Sequence, residues 1–385
     1  MISNCPICKC NNLLNLVSRE NVPVHENLIF DTSDEAKKIQ RGNLSLVICT
    51  KCEFVFNQSF DIKLMDYGNS YENAQNSSLF FNKHVSSLID NLINKHQIQN
   101  SKILEIGCGN GYFLKKLTSN DSWNNFGVGY DPSFNNSEAN LKNIRIEKKF
   151  FDETCNEQVD VIISRHTIEH IPQPIEFLKN IRKISKSETR IFLETPTVEW
   201  ILKNYIFWDF TYEHCSFFSK NSLVTALQIA GFKIISIDNI FEDQYLWIEA
   251  ISSDSEIISY NPSLIESSEN FQYLIKKREE EFNLKIKKYL EMGKVGIWGA
   301  AGKGVCLTNI LDPDSDIIDC LIDLNPKKWG KFISGTGHEI INYPKLKKRG
   351  LNTVIVMNPN YYEEIDELIK NEYPEIDLIK SDDLF

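Results

Sequence analysis

Short apolar runs alternate with amphipathic stretches along most of the chain. Ile103–Ile106, Phe126–Tyr130, Val159–Ser164 and Arg190–Glu194 read as strands, with Ile144–Ile146 as a shorter run. Tyr112–Leu117, Ile175–Ile184 and Asn221–Ala230 carry helical spacing, and Gly231 ends the last of these. Lys233–Asp238 and Tyr245–Ile251 add two strands. Strand–helix alternation of this kind predicts an open, mostly parallel sheet wound on both faces. A second α/β unit begins at Lys294, with strands at Lys294–Trp298, Ile318–Asp323 and Thr353–Met357. Upstream, Leu44–Ile48 and Phe54–Phe56 are strand-like. Phe60 to Ser78, with Tyr67 and Tyr71, reads as a loop, and Leu79 to Ile98 has helical periodicity. Ser253 to Pro262 is a polar joint. Leu264 to Leu290 reads as one long, solvated spacer helix.

Length and charge narrow the class. The chain has 385 residues, 42 Lys+Arg and 53 Asp+Glu, for a formal net charge of -11. That length predicts two or three domains, which the element pattern divides as 1–65, 66–253 and 254–385. With 42% hydrophobic and 25% charged residues, the composition is that of an ordinary soluble globular protein. The acidic balance, with no Lys/Arg block, argues against duplex nucleic acid as a partner. No apolar run is long enough for a membrane span, and Met1 to Cys5 has neither the basic nor the apolar part of a secretory signal, so the expected location is cytoplasmic.

Ten cysteines are present, four of them paired by spacing: Cys5-x-x-Cys8 and Cys49-x-x-Cys52. Each x-x turn presents two thiolates to one ion, so two knuckles close a tetrahedral Zn(2+) site. Four thiolates leave no open coordination position, so such a zinc is structural. The forty residues between Cys8 and Cys49 must fold back for the knuckles to meet. Unrelated reduced thiol pairs are the alternative.

Leu104-Glu105-Ile106-Gly107-Cys108-Gly109-Asn110-Gly111 lies between a predicted strand and a predicted helix. The third glycine of a dinucleotide fingerprint would fall at position 112, which is Tyr112. The alternate-glycine spacing instead resembles motif I of class I S-adenosylmethionine (SAM) methyltransferases. That resemblance implies that Glu105 helps hold the aminoacyl end of the cofactor, over Gly107, Gly109 and Gly111. Asp131 ends the next strand, where a carboxylate accepts from ribose hydroxyls. Phe151 and Asp152 follow the third strand, where such enzymes contact adenine.

Among seven histidines, His25, His84, His96 and His338 sit in contexts that read as surface or turn. His166 and His170 follow the fourth strand, at the carboxyl edge where ligands bind in open α/β sheets; each faces cofactor or substrate, or else packs. Glu213 and His214 follow an aromatic insertion of Trp200, Tyr205, Phe207, Trp208 and Phe210. A carboxylate beside an imidazole suits a general base, although adjacent residues need not face the same way. An interdomain hydrogen bond is the other reading of His214.

The order of these markers resembles the three-domain sugar C-methyltransferases that act on nucleotide-linked 4-keto sugars. The markers are the cysteine quartet, the Glu105–Gly111 loop, Tyr212-Glu213-His214 and Gly299-Ala300-Ala301-Gly302-Lys303-Gly304. The resemblance implies a class I SAM-methyltransferase doubly wound sheet, a small N-terminal zinc module and a C-terminal Rossmann-like α/β domain. It implies methylation at C3 through an enolate, with His214 as base and Glu213 beside it, Tyr71 as a mobile cover over the sugar, and His170 as a second active-site histidine. His166 joins the cofactor residues. Tyr212, Gly299, Gly302 and Lys303 are implied to bind the nucleotide-linked substrate. Thr211 stands where the family reads tyrosine, and Asn73 replaces an aromatic. O- or N-methylation of another nucleotide-linked metabolite therefore stays open, as does a non-catalytic SAM- and nucleotide-binding scaffold.

Overall fold

The structure is a computed structural model and describes residues 2–65, 71–134, 142–253, 262–268 and 270–384. Tyr67 and most of the Ser253–Pro262 joint lie outside the described residues.

In the N-terminal module, β1 (Leu13–Pro23), β3 (Arg41–Cys49) and β4 (Val55–Asn57) form an antiparallel sheet, while β2 (Ile29–Phe30) stands apart from it. The alternation in β1 is obscured in sequence because its register shifts between Asn15 and Val17 and again between Arg19 and Val22. Each shift displaces the inward face by a residue.

The central sheet uses β5 (Lys102–Ile106), β6 (Phe126–Tyr130), β7 (Ile144–Glu147), β8 (Val161–Arg165), β9 (Arg190–Pro196), β11 (Phe232–Ile240) and β12 (Tyr245–Ser252); β10 (Ser216–Phe217) leaves it to pair with β4. Its order is β7-β6-β5-β8-β9-β12-β11, with β12 antiparallel to both neighbours and the other pairings parallel. This is the class I SAM-methyltransferase arrangement. All five residues of β8 are buried, as expected of a strand with layers packed on both faces. After β5 the chain winds first through β6 and β7, then returns through β8 on the other side. That reversal opens a crevice at the carboxyl end of β5.

The C-terminal unit carries β13 (Lys294–Trp298), β14 (Ile318–Ile322), β15 (Phe332–Ile333), β16 (Ile340–Ile341), β17 (Leu351–Val356) and β18 (Asp377–Lys380). A parallel five-stranded sheet has the order β16-β14-β13-β17-β18, and β15 pairs with β2 of the N-terminal module.

Two expectations change. The helix Leu79–Asp90 passes into a π-helical turn at Asn91–Lys95, short of Ile98. The long helix, Phe271–Met292, is no solvated spacer. Phe271, Ile275, Phe282 and Ile286 are buried, and Phe282 meets the edges of Phe207 and Trp208, with ring centroids 6.1 and 5.7 Å away. At about 1.5–3 kcal/mol per buried large apolar side chain, this face ties the aromatic insertion to the C-terminal unit. Among the described residues no helix is long and apolar enough to cross a membrane.

Candidate active site

One cavity of about 1080 Å³ runs from the carboxyl end of β5 to the Gly299–Lys303 turn. Glu105, Gly107, Gly109 and Asp131 line one part of it. Tyr71, His166, His170, Glu213 and His214 line the middle, and Gly299, Gly302 and Lys303 the far part.

At the β5 end, Gly109 has positive φ, and a Cβ built there meets nothing within 4 Å. The loop therefore leaves open space for a ligand against bare backbone. Gly107 is tight for another reason, since a Cβ would lie 2.0 Å from Thr167 Oγ1. Gly111 caps the helix Tyr112–Thr118 and supports the turn without lining the cavity. Asp131 accepts from Gly109 N–H at 2.7 Å through Oδ2, and from Ser133 N–H at 2.8 Å through Oδ1. Glu105 is buried, and its Oε2 has no hydrogen-bond partner. Burial pushes its carboxyl up to about 8, against the pull of the Arg165 guanidinium. An orphaned buried carboxyl beside an open glycine loop fits the ammonium end of SAM.

His166 also lines the cavity, with Nδ1 3.5 Å from Glu169 and Nε2 3.7 Å from Glu194. Asp152 does not reach the cavity. It is exposed and caps its own turn, accepting from Thr154 N–H at 2.8 Å and Thr154 Oγ1–H at 2.6 Å, while Phe151 and the largely exposed Phe150 line the cavity.

The middle of the cavity centres on Glu213. Its Oε1 lies 3.3 Å from His25 Nδ1 and accepts from the backbone N–H groups of Glu26 (2.7 Å) and Asn27 (3.2 Å). Its Oε2 accepts from the Tyr71 hydroxyl at 2.7 Å. Burial alone would raise this carboxyl, but the bond from His25, the charges of His170 and His25, and the Tyr71 hydroxyl hold it at about 2. The His214 ring stands edge-on to His170, centroids 4.8 Å apart. Burial, then the neighbouring His170 charge, lowers its imidazole to about 4, so the ring is neutral at neutral pH and free to accept a proton.

Tyr212 is not at the cavity. It is fully buried, its hydroxyl accepts from Asp61 N–H at 2.9 Å, and its ring fills the space beside Gly42. The chain bends at Tyr212 and Glu213, so Glu213 and His214 line the cavity while the Tyr212 ring packs away from it. Lys303 reaches the cavity but forms an ion pair with Asp209 and lies over the Trp200 ring.

The four histidines read as surface are all largely buried and paired, because each meets a carboxylate distant in sequence. His25 meets Glu213, His84 meets Glu194 at 2.7 Å, His96 lies 3.4 Å from Glu249, and His338 meets Asp312 at 3.0 Å. Sequence reasoning also missed Glu26, Glu169 and Arg165 as lining residues. Arg165 and Glu169 flank His166 in the chain, and that proximity was the available signal.

The four knuckle cysteines do converge. Cys5 and Cys52 sulfurs are 3.5 Å apart, as are those of Cys8 and Cys49, and all four sulfurs lie within 4.8 Å of one another. Four sulfurs at about 2.3 Å from a tetrahedral ion stand about 3.8 Å apart, so the quartet fits a metal ion. Cys10 is not among them.

A methyltransferase domain model matches residues 80–237, and a C-methyltransferase C-terminal domain model matches residues 261–373. C-methyltransferase NovU of Streptomyces niveus is 23% identical over 245 residues, covering 61% of this chain and 57% of that protein. The chain thus spans little more than half the length of this curated relative. Among solved structures, the S-adenosylmethionine dependent methyltransferase of Mesorhizobium loti is similar at 12% identity, TM-score 0.35, over 43% of this chain and 99% of that one. The 1,6-didemethyltoxoflavin-N1-methyltransferase of Burkholderia thailandensis, with bound S-adenosylhomocysteine, is similar at 11% identity, TM-score 0.36, over 46% and 81%. The two domain models follow one another in the order of the two parallel sheets: the chain carries a methyltransferase domain followed by a C-methyltransferase C-terminal domain.

Proposed function

We propose that the protein C-methylates a nucleotide-linked 4-keto sugar at C3. The observation that carries this reading is the shared cavity: a neutral His214 imidazole and the Tyr71–Glu213–His25 array open onto the same space as Glu105 and Gly109. A ketone at C4 acidifies the C3–H bond. His214 takes that proton, and the electron pair moves through C3=C4 onto the carbonyl oxygen. Bound SAM supplies an electrophilic methyl group on a cationic sulfonium. Glu105 and the Gly107–Gly109 loop hold its aminoacyl end, and Asp131 its ribose. Tyr71, held by Glu213, covers the sugar, and His170 lies edge-on to the base. The Gly299–Lys303 turn receives the diphosphate, because backbone N–H groups and a lysine suit phosphate.

In this reading, 1–65 is a zinc module, 66–253 the methyltransferase domain, and 254–385 the linker helix and substrate-binding domain. Cys5, Cys8, Cys49 and Cys52 hold a structural zinc, which supplies a cross-link and no catalysis. Ten cysteines outside any disulfide suit a reducing cytoplasm.

Mass spectrometry of SAM assays against a panel of nucleotide-linked 4-keto sugars tests the acceptor, and NMR of the product locates the methyl group. A methyl group on oxygen or nitrogen replaces the enolate reading with heteroatom methylation. SAM binding by calorimetry with no turnover on any acceptor favours the scaffold.

A further inference from the structure

A second carboxyl, Glu26, enters the same cavity from the N-terminal module. It is 6% exposed and lines the cavity with Tyr71, Glu213 and His214. Its backbone N–H donates to Glu213, and its Oε1 accepts from Tyr212 N–H at 3.1 Å. Its Oε2 has no hydrogen-bond partner.

Two buried carboxyls packed this closely do not both ionise. His25, Tyr71 and two N–H groups serve Glu213, whereas Glu26 accepts one hydrogen bond, from Tyr212 N–H, with lesser pulls from the N–H groups of Glu26 and Glu213. Burial, then the Glu213 charge, raises Glu26 well above the usual carboxyl range. Cys306, which feels Glu26 from the helix Gly302–Leu311, is itself pushed up to about 12 by burial and so adds no countercharge. The single proton of the pair therefore sits on Glu26. With Oε1 taken by Tyr212, it sits on Oε2.

We propose that Glu26 is a catalytic hydrogen-bond donor, whose Oε2–H binds the oxygen on which negative charge develops as the acceptor is deprotonated. When C3–H breaks, its proton goes to His214, and the carbonyl π pair becomes a lone pair on oxygen, which Glu26 stabilises. When the C3–methyl bond forms, the C–S bond breaks with its electrons on sulfur and the carbonyl is restored. Glu26 keeps its proton throughout. A neutral buried acid serves here because it donates without adding a negative charge beside a forming oxyanion.

This inference rests on the enolate reading, and its test separates the two. Wild type, Glu26→Met and Glu26→Gln are each incubated in deuterium oxide with nucleoside-diphosphate 4-keto-6-deoxyhexoses, and deuterium at C3 is followed by NMR. S-adenosylhomocysteine affinity checks each fold. Glu26→Met is expected to exchange about 10²-fold more slowly, the cost of one lost oxyanion donor, with the same S-adenosylhomocysteine affinity. Glu26→Gln keeps a donor and retains most of the rate. Infrared spectra at neutral pH, taken with S-adenosylhomocysteine bound so that Glu105 is ionised, are expected to contain a protonated-carboxyl band that Glu26→Gln abolishes. Wild-type exchange with an unchanged Glu26→Met rate overturns the role of Glu26 alone, as does absence of that band. Wild type that exchanges no probe overturns the enolate reading and this role with it.

Discussion

His25 Nδ1 and Glu213 Oε1 stand 3.3 Å apart inside the protein, so the first module contributes directly to the shape of the candidate catalytic centre. Glu213 receives bonds from both sides of that seam. Glu213→Ala leaves the N–H groups of Glu26 and Asn27 buried without an acceptor. It is expected to lower unfolding free energy by about 3 kcal/mol or more, at about 1.5–3 kcal/mol per bond to a charged group, measured by urea denaturation. Because the folded carboxyl lies at about 2, below its ordinary value, the Glu213 contribution is complete above about pH 4.5. It is lost as pH falls toward 2.

His214→Asn should keep S-adenosylhomocysteine affinity and lose turnover. With the imidazole lowered to about 4, the acid limb of kcat/KM is expected near pH 4 rather than near 6.5. Stability has the same sign. The unfolded ring takes up a proton first, so acidification from 6.5 toward 4 destabilises the fold. A pH–rate profile unchanged between wild type and variant removes His214 from the mechanism.

Glu105 predicts a proton count. Its carboxyl lies at about 8 while its Oε2 is unpaired, and an ammonium placed against it favours ionisation. Titration with S-adenosylhomocysteine at pH 7, in buffers of different ionisation enthalpy, should release close to one proton. Glu105→Gln should release none and bind more weakly.

Asp131→Ala removes the acceptor of Gly109 N–H and Ser133 N–H. Cofactor affinity should fall by about 1.5–3 kcal/mol in calorimetry, with little change at the distant Gly299–Lys303 turn.

The cysteine quartet should retain about one zinc per chain through purification, read by elemental mass spectrometry. Cys52→Ser should lose the metal and lower the melting temperature, since folding and metal binding are one equilibrium at such sites. Cys10→Ser should do neither, because Cys10 is not part of the quartet.

The parallel sheets were legible because buried strands of the Ile103–Ile106 and Lys294–Trp298 type are short, apolar and followed by glycine turns. The cofactor loop was legible for the same reason, since Gly107, Gly109 and Gly111 leave a spacing in the chain. What failed is what the chain brings together at long range. His25 looked superficial because its partner is 188 positions away. Tyr212 is implied to bind substrate only by the resemblance, through the motif it shares with Glu213 and His214, and the packing of its ring beside Gly42 is a long-range contact that the motif does not encode. The helix Phe271–Met292 looked solvated because its buried residues are widely spaced among charges, and their partners belong to the aromatic insertion.

Strand exchange along the seams has a further consequence. Ser216–Phe217 completes the first sheet against β4, and Phe332–Ile333 pairs with β2. Cutting the polypeptide between its sections would bare backbone edges on both fragments and invite aggregation. Grafting an acceptor-binding section from a relative would therefore require carrying these short ribbons along with it. Evolution of new acceptors in such a protein is expected to proceed through side chains facing the cavity, and not through exchange of whole parts.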